Sequence, residues 1–206
     1  VTKAANAPQS AAAAGGAASP PAATAAHPSW IGPWAGPWGG VPPFDRVKPQ
    51  DLGPALEAGI AANLAELERI ANDPAPPTFE NTIAALERAG RMLDRAATVY
   101  GVFSSTLNDT AVQQVERDIE PKLAEFRNQV VQNDRLFRRI AAVYAVRKKS
   151  GLTPEQQRLA WLHYTTLRRA GAELDAPAKR RLGEINQRLA TLFTQFSQNL
   201  LADESA

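Results

Sequence analysis

Apolar residues recur at steps of three and four along most of the chain, from about residue 48 to its end. This spacing places the apolar side chains on one face of a helix, and no stretch shows the sustained alternation that a strand requires. The pattern predicts six helices, at 50–72, 79–107, 109–132, 134–148, 154–170 and from 176 to near the C-terminus. We therefore predict an all-α fold built of antiparallel helical hairpins.

Signals for helix ends fall between these segments. The proline-rich stretch 72–77 should end the first helix, because proline removes a hydrogen-bond donor and clashes with the preceding turn. Pro121 lies inside the third helix and predicts a kink or a break. Gly171 is the expected C-terminal cap of the fifth helix. The expected N-terminal caps are Thr78, Asp175 and Thr153, the last in a capping box with Gln156.

The last predicted helix carries an unusually large apolar face. Five large apolar side chains share it within twelve residues: Leu189, Leu192, Phe193, Phe196 and Leu200. No Gly, Asn or Pro follows as a stop signal, and Asp203 and Glu204 oppose the helix dipole in the last turn. Part of this face should pack on the helices at 134–148 and 154–170. We predict that the rest, beyond about Phe196, either frays or faces a partner, which is another part of the same protein or a second copy of the chain.

The residues before the first predicted helix differ in composition from the rest of the chain. Residues 1–29 hold thirteen alanines, and 1–28 is predicted to be a disordered Ala/Pro-rich spacer. Residues 29–49 are rich in Pro, Gly and Trp, which excludes a helix. We expect this segment to be extended and docked on the helical domain, 50–206, through at least partial burial of its three tryptophans: Trp30, Trp34 and Trp38.

Composition and charge narrow the function classes. The 206 residues include 23 basic and 21 acidic side chains, for a net charge of +2, and the two signs are interspersed. Basic pairs such as Arg138-Arg139 are therefore interpreted as a solvated helix face, and we expect no nucleic-acid partner. No apolar run approaches the ~20 residues of a membrane-spanning helix.

Catalytic chemistry is missing from the sequence. There is no cysteine, and the two histidines, His27 and His163, are far apart in the chain, whereas a zinc site needs three or four ligands. No Glu-x-x-His pair, nucleophile elbow or phosphate-binding glycine loop occurs. We therefore assign no catalytic residue, no metal ligand and no cofactor to this chain, and its substrate-binding residues stay unknown.

Six stretches, taken in order, resemble one family. Together they resemble the N-terminal region of the zinc oligopeptidases, which include peptidyl-dipeptidase (dipeptidyl carboxypeptidase), oligopeptidase A and thimet oligopeptidase. The likeness covers nearly everything from residue 40 onward and is strongest to the peptidyl-dipeptidases. The stretches are GVPPFDRVKP (40–49), PPTFENTIAALERAG (76–90), VERDIEPKLAEF (115–126), GLTPEQQRL (151–159), RAGAELD (169–175) and RLATLFTQFSQNLLADE (188–204).

The resemblance implies a function for the parent protein. Members of this family are mostly helical, and their two halves enclose a channel that admits short peptides. Their zinc ligands and general base lie on an HExxH helix far toward the C-terminus, where a zinc-bound water attacks the peptide carbonyl. None of those residues has a counterpart here. The chain is thus expected to be an N-terminal fragment that forms one wall of the channel, without the zinc site, and that binds the catalytic half of the same protein.

Two other interpretations stay open. A free-standing helical bundle could bind a peptide or a partner helix in a groove, and a basic bundle could bind nucleic acid or a membrane surface. An HExxH motif encoded beyond Ala206 would favour the peptidase, whereas a stop codon there would favour the bundle. The sequence leaves open whether the parent releases C-terminal dipeptides or cuts internal bonds. The Ala/Pro-rich spacer and the Val1 start favour an exported, periplasmic protein over a cytoplasmic one.

Overall fold

Helices account for most of the structure, a computed structural model that describes residues 28–36 and 40–204. These residues contain no strand, so the predicted all-α class is confirmed. The six long helices and one short one are α1 (Pro49–Ala71), α2 (Ala85–Arg88), α3 (Arg91–Thr106), α4 (Thr110–Gln132), α5 (Asp134–Val146), α6 (Pro154–Arg169) and α7 (Ala176–Glu204). A π-helical stretch, Phe79–Ala84, leads into α2, and two 3-10 turns, Ser29–Ile31 and Phe44–Arg46, precede α1.

The capping residues act as the sequence predicts. In the capping box of α6, the Thr153 Oγ1 accepts a hydrogen bond from the Gln156 N–H at 3.3 Å, and the Gln156 Oε1 accepts one from the Thr153 N–H at 3.0 Å. Gly171, with φ of 101°, turns the chain after α6. A side chain there would collide with Leu174 and Leu182, because an added Cβ would lie 2.9 Å and 2.6 Å from their methyl groups. The other predicted caps, Thr78 and Asp175, also accept backbone hydrogen bonds.

The prediction of one continuous helix over 79–107 is wrong. The helix stops after α2, where Ala89 is extended and Gly90 has a left-handed φ of 80°, and α3 begins afresh. The Gly90 N–H donates to the Glu66 Oε2 of α1 at 2.7 Å. The left-handed φ favours glycine at this position, and a Cβ there would also lie 2.8 Å from the Asn63 amide nitrogen.

Pro121 does not interrupt its helix. α4 continues from Thr110 to Gln132 with Pro121 inside it, so the break that the sequence allows does not occur. α4 is held between α1 on one side and α7 on the other. We attribute its continuity to this packing, which compensates for the one backbone hydrogen bond that proline removes.

Two clusters of buried apolar side chains form the core. The first joins α1, α3, α4 and the segment before α1, and the second joins α1, α5, α6 and the π-helical stretch. Phe126 of α4 packs against both clusters. The largest fully buried side chains are Ile31, Leu52, Leu56, Ile83, Ile119, Leu136 and Ile140.

The segment before α1 contributes its own apolar residues to the first cluster. Trp30 is 6% exposed and Ile31 is fully buried against α3. The Ile31 carbonyl accepts a hydrogen bond from the Arg95 Nε at 2.6 Å, and the half-buried Trp34 donates its ring N–H to the Trp30 carbonyl at 2.9 Å. Trp38 lies outside the described residues, as does the predicted spacer 1–28 except for Pro28.

The last helix does not pack where the sequence predicts. α7 lies along α4 rather than along α5 and α6. α5 and α6 instead pack on each other through stacked rings, with centroids 4.1 Å apart for Tyr144 and Tyr164 and 5.7 Å apart for Phe137 and Tyr164. Since α5 and α6 bury apolar side chains against each other, α7 packs on a different helix, α4.

Candidate functional site

Polar side chains attach α7 to α4. Asn128 of α4, only 5% exposed, donates its amide N–H to the Gly183 carbonyl at 3.3 Å. Its Oδ1 accepts a hydrogen bond from the Asn186 amide at 2.9 Å. The amide of Gln187 also donates to the Glu125 Oε2, at 2.6 Å. This side of α7 therefore docks through side-chain amides rather than through its large apolar residues.

The same attachment holds the C-terminal half of α7. The Gln198 amide nitrogen donates to the Gln113 carbonyl at 2.9 Å and to the Glu116 Oε2 at 3.1 Å. The Gln198 Oε1 accepts a hydrogen bond from the Arg117 Nη1 at 2.8 Å. Residues near the end of α7 thus meet the start of α4, whereas Asn186 meets its end, so the two helices run antiparallel.

The apolar face of α7 stays exposed. We use the name apolar face for the five residues predicted to face a partner together with Ile185, which the sequence analysis did not single out. Phe193 and Phe196 are each 66% exposed, and Leu200 is 49% exposed. The remaining three residues, Ile185, Leu189 and Leu192, are also exposed. All five predicted residues lie on one accessible face, and their role in binding a partner stays a prediction.

A groove runs beside the apolar face. It has a volume of about 890 Å³ and lies between α4, α7 and the turn that joins α6 to α7. Leu189 and Phe193 form part of its wall, so the apolar face and the groove are continuous. Its other apolar lining residues include Val131, Leu174 and Leu182. Three arginines also line it: Arg127 from α4, and Arg168 and Arg169 from the end of α6.

The carboxylate of Glu173, which lines the groove, is already paired with an arginine. The Glu173 Oε2 accepts a hydrogen bond from the Arg168 Nε at 2.9 Å, and its Oε1 accepts one from the Tyr164 hydroxyl at 3.0 Å. Both hydrogen bonds lower the pKa of Glu173 below its ordinary value, and the bond from Arg168 has the larger effect. The bond to Glu173 likewise raises the pKa of Tyr164. Glu173 therefore stays ionised and paired within the groove.

The other two arginines are unpaired within the described part of the chain. Arg127 and Arg169 are exposed and form no ion pair with any described residue. The groove thus holds three guanidinium groups and a single carboxylate, which Arg168 already pairs. This basic groove is not apparent in the sequence, because Arg127 lies more than forty residues from the other two arginines.

His163 takes part in a smaller polar contact. Its Nε2 lies 2.7 Å from the Glu87 Oε1, which links α6 to α2 at the rim of a second, more apolar cleft of about 630 Å³. No group of three or more His, Cys, Asp or Glu side chains is placed to hold a metal anywhere in residues 28–36 and 40–204. The described residues therefore do not fit a zinc site. Likewise, none of the described helices is both long and apolar enough to cross a membrane.

Comparison with known proteins gives one consistent group of relatives. Dipeptidyl carboxypeptidase of Salmonella typhimurium is 36% identical over 165 residues, which is 80% of this chain and 24% of that protein. Dipeptidyl carboxypeptidase of Escherichia coli is 35% identical over 161 residues, 78% of this chain and 24% of the relative. Oligopeptidase A of Haemophilus influenzae is 28% identical over 162 residues, 79% of this chain and again 24% of the relative.

No protein-family model matches the chain. The chain spans about 24% of the length of these curated relatives, so each match concerns a part of a peptidase. The relatives' names agree with the family that the sequence motifs resemble, and the matched part is as helical as that resemblance implies. The chain is therefore similar, over about 80% of its length, to a part of dipeptidyl carboxypeptidase and of oligopeptidase A, which are members of the zinc oligopeptidase family.

Proposed function

We propose that this chain is the N-terminal helical part of a zinc metallopeptidase that releases C-terminal dipeptides from short peptides. The observation that carries the proposal is the order of identities. The two dipeptidyl carboxypeptidases are 36% and 35% identical to the chain, whereas oligopeptidase A of Haemophilus influenzae is 28% identical. The proposal extends the activity in those relatives' names to the protein that contains this chain.

Within that enzyme, the chain forms one wall of the substrate channel and supports the catalytic half. The apolar face of α7 is the surface that we assign to this contact. Monomeric proteins rarely leave large contiguous apolar patches in water, and Phe193 and Phe196 are each 66% exposed. The catalytic half would cover these residues, and short peptides would bind between the two parts.

The zinc ion belongs to the remainder of the enzyme. This assignment is supported by the described residues, which offer no group of three or more His, Cys, Asp or Glu side chains that could hold a metal ion. When bound elsewhere in the enzyme, zinc would polarise the scissile carbonyl and supply an activated water. The role of this chain is then to shape the channel and to hold the catalytic half in place.

The gene and the complete protein test this proposal. Reading the coding sequence beyond Ala206 should reveal an HExxH motif, and the full-length protein should bind zinc. It should release the C-terminal dipeptide from an N-terminally blocked tripeptide, and the C-terminal amide of the same tripeptide is the matched control. Absence of the motif, or of zinc-dependent peptidase activity, contradicts the proposal. Faster cleavage of a peptide blocked at both ends would indicate an endopeptidase instead.

A second candidate is a free-standing helical bundle that binds a peptide or a partner helix. The observation that favours it is the groove of about 890 Å³ beside the apolar face, a volume within the range of ligand sites. A stop codon after Ala206 would support this alternative, because the chain would then have no catalytic half to cover α7.

We also propose that the parent protein is periplasmic. The support is the Ala/Pro-rich composition of residues 1–29, which is typical of a spacer in an exported protein. Osmotic-shock fractionation of the natural host, with an antibody against the chain, should recover the protein with periplasmic markers. Recovery with cytoplasmic markers alone would contradict this location.

A further inference from the structure

We infer that the groove between α4, α7 and the α6–α7 turn receives an acidic amphipathic helix from the remainder of the same polypeptide. This inference rests on the proposed function, and it adds the chemistry of the segment that covers the site. It follows from three properties of the surface, which are its shape, its charge and the share of the relatives that this chain spans.

The shape favours a helix over a compact ligand. Leu189, Phe193, Phe196 and Leu200 follow one another at steps of three and four residues along α7. Because a helix rises 1.5 Å per residue, this row extends over about 17 Å, or roughly three turns. A row of that length is matched by the apolar positions i, i+3 or i+4 and i+7 of a second helix. The adjoining groove adds room for that helix's large side chains.

The charge favours an acidic partner. Arg127 and Arg169 have no ion-pair partner among the described residues, and Arg168 pairs with Glu173, the one carboxylate that lines the groove. A neighbouring helix with Asp or Glu beside its apolar row would bring carboxylates to these free guanidinium groups. Arginine also suits this task because its planar fork binds a carboxylate through two hydrogen bonds.

The same charges disfavour a second copy of the chain as the occupant. An isologous contact would bring the apolar face and the groove of one copy against those of the other. The basic groove of each copy would then lie in a contact whose one groove carboxylate, Glu173, is already paired, so no acidic side chain of the groove is left for Arg127 or Arg169. The dipeptidyl carboxypeptidases are roughly three times as long as the chain, whose matched part covers 24% of each, so the remainder of such a polypeptide is long enough to supply the covering helix.

Two synthetic helices provide the test. Each is a stapled amphipathic peptide of about three to four turns with leucines at positions i, i+4, i+7 and i+11. One peptide has glutamates beside the leucine row, and the other has lysines at the same positions. Fluorescence anisotropy with the 206-residue chain at low salt should show that the acidic peptide binds at least about tenfold more tightly. The difference should shrink as salt screens the charges.

Charge-reversal variants locate the binding site. Arg127→Glu with Arg169→Glu should invert the preference, so that the basic peptide binds more tightly. The matched control is Lys148→Glu with Lys149→Glu, which changes the net charge equally on an exposed turn outside this groove. This control should leave the preference within about twofold of the wild type. Phe196→Asp with Leu200→Asp should weaken both peptides.

Several results would overturn the inference. These are equal affinity for the two peptides, no binding by either up to about 1 mM, or a preference that the groove variants leave unchanged. Light scattering covers the remaining case. A dimer that neither peptide displaces and that Phe196→Asp with Leu200→Asp dissociates would show that a second copy covers the face.

The inference and the proposed function fail in different ways. If the full-length protein is a zinc-dependent dipeptide-releasing enzyme but the peptides do not discriminate, the inference is wrong and the proposed function stands. If the acidic peptide binds as expected but the gene encodes no HExxH motif, the proposed function is wrong. The groove would then belong to a helix-binding module.

Discussion

Large apolar side chains are buried near the N-terminal end of the described chain and exposed near its C-terminal end. Near the N-terminus, Trp30 is 6% exposed and Ile31 is fully buried, although the segment has almost no regular structure. In α7, a regular helix of 29 residues, Phe193 and Phe196 are each 66% exposed. The irregular end is therefore packed into the core, whereas the regular end carries its apolar residues on the outside.

The two ends also differ in how their backbone peptide groups form hydrogen bonds. The segment at Trp30 pairs only a few of its peptide groups, within one 3-10 turn, and its Ile31 carbonyl accepts a hydrogen bond from Arg95 of α3. α7 satisfies its backbone internally and attaches to α4 through the side chains of Asn186 and Gln198. Its apolar face is not needed for that attachment. The face is therefore free to serve a contact outside the described fold.

Removal of the Trp30 ring should have the largest effect on stability. The ring fills the first core cluster, and truncation of a buried tryptophan costs about 3–5 kcal/mol. We expect Trp30→Ala to lower the free energy of unfolding by about this amount in urea denaturation of the isolated chain. Phe44→Ala is the matched control, because Phe44 lies in the same segment but is exposed. Similar losses for both variants would show that the segment is not anchored through Trp30.

Loss of Asn128 should have a moderate effect. Asn128→Ala removes the hydrogen bond to the Gly183 carbonyl and leaves the Asn186 amide without its acceptor. An unsatisfied buried polar group costs about 1–3 kcal/mol. Hydrogen exchange should show faster opening of α7, with α1 and α3 less affected. Gln129→Ala on the exposed side of α4 is the control, and an equal effect from it would remove the special role of the buried amide.

The neutral side chain of Tyr100 should make a smaller contribution to stability than Asn128, and this contribution should be lost at alkaline pH. Burial, and then the charge of Glu120, raise the pKa of Tyr100 above its ordinary value, and the Tyr100 hydroxyl donates to the Glu120 Oε1 at 3.0 Å. The folded state thus favours the neutral phenol. Its contribution to stability is present below the unfolded pKa of about 10 and is lost as the pH rises above that value.

A comparison of wild type with Tyr100→Phe from about pH 8 to about pH 11 measures this loss. The wild type should lose stability more steeply above about pH 10, by less than the limit of about 1.4 kcal/mol per pH unit for one proton. Parallel pH profiles of the two proteins would show that Tyr100 ionises as freely in the folded state as in the unfolded state.

The sequence predicts most of the fold but less of the candidate site. Caps such as Thr153 are local signals, so they and the helix ends are predictable. The interruption at Gly90 was missed because a single glycine within a continuous apolar pattern does not by itself mark the end of a helix. The pairing of α7 with α4 was missed because it rests on Asn128 and Asn186, and a polar pair leaves no periodic apolar signal. The apolar face of α7 is recognisable in the sequence as a periodic row of apolar residues. Whether the row is buried depends on which helix α7 packs against, and the sequence alone does not reveal that helix.

The smallest effect should come from Phe196, the residue that contrasts most with Trp30. In the isolated chain, Phe196→Gln removes an aromatic ring that is mostly in water and introduces a better helix former. We expect the free energy of unfolding to change by less than about 0.5 kcal/mol, in either direction. Phe103→Gln is the matched control, because Phe103 is buried in the first core cluster and should cost several kcal/mol, at least about 3.

The same substitution in the full-length protein sharpens the comparison. If another part of the polypeptide covers α7, Phe196 becomes a buried residue there, and Phe196→Gln should cost about 2 kcal/mol or more. Hydrogen exchange should then show a loss of protection in α7 that the isolated chain does not show. An equally small effect in both proteins would mean that Phe196 stays in water throughout, so that α7 would be a surface helix in the complete molecule. A large effect in the isolated chain alone would instead mean that α7 already uses its apolar face within these 206 residues.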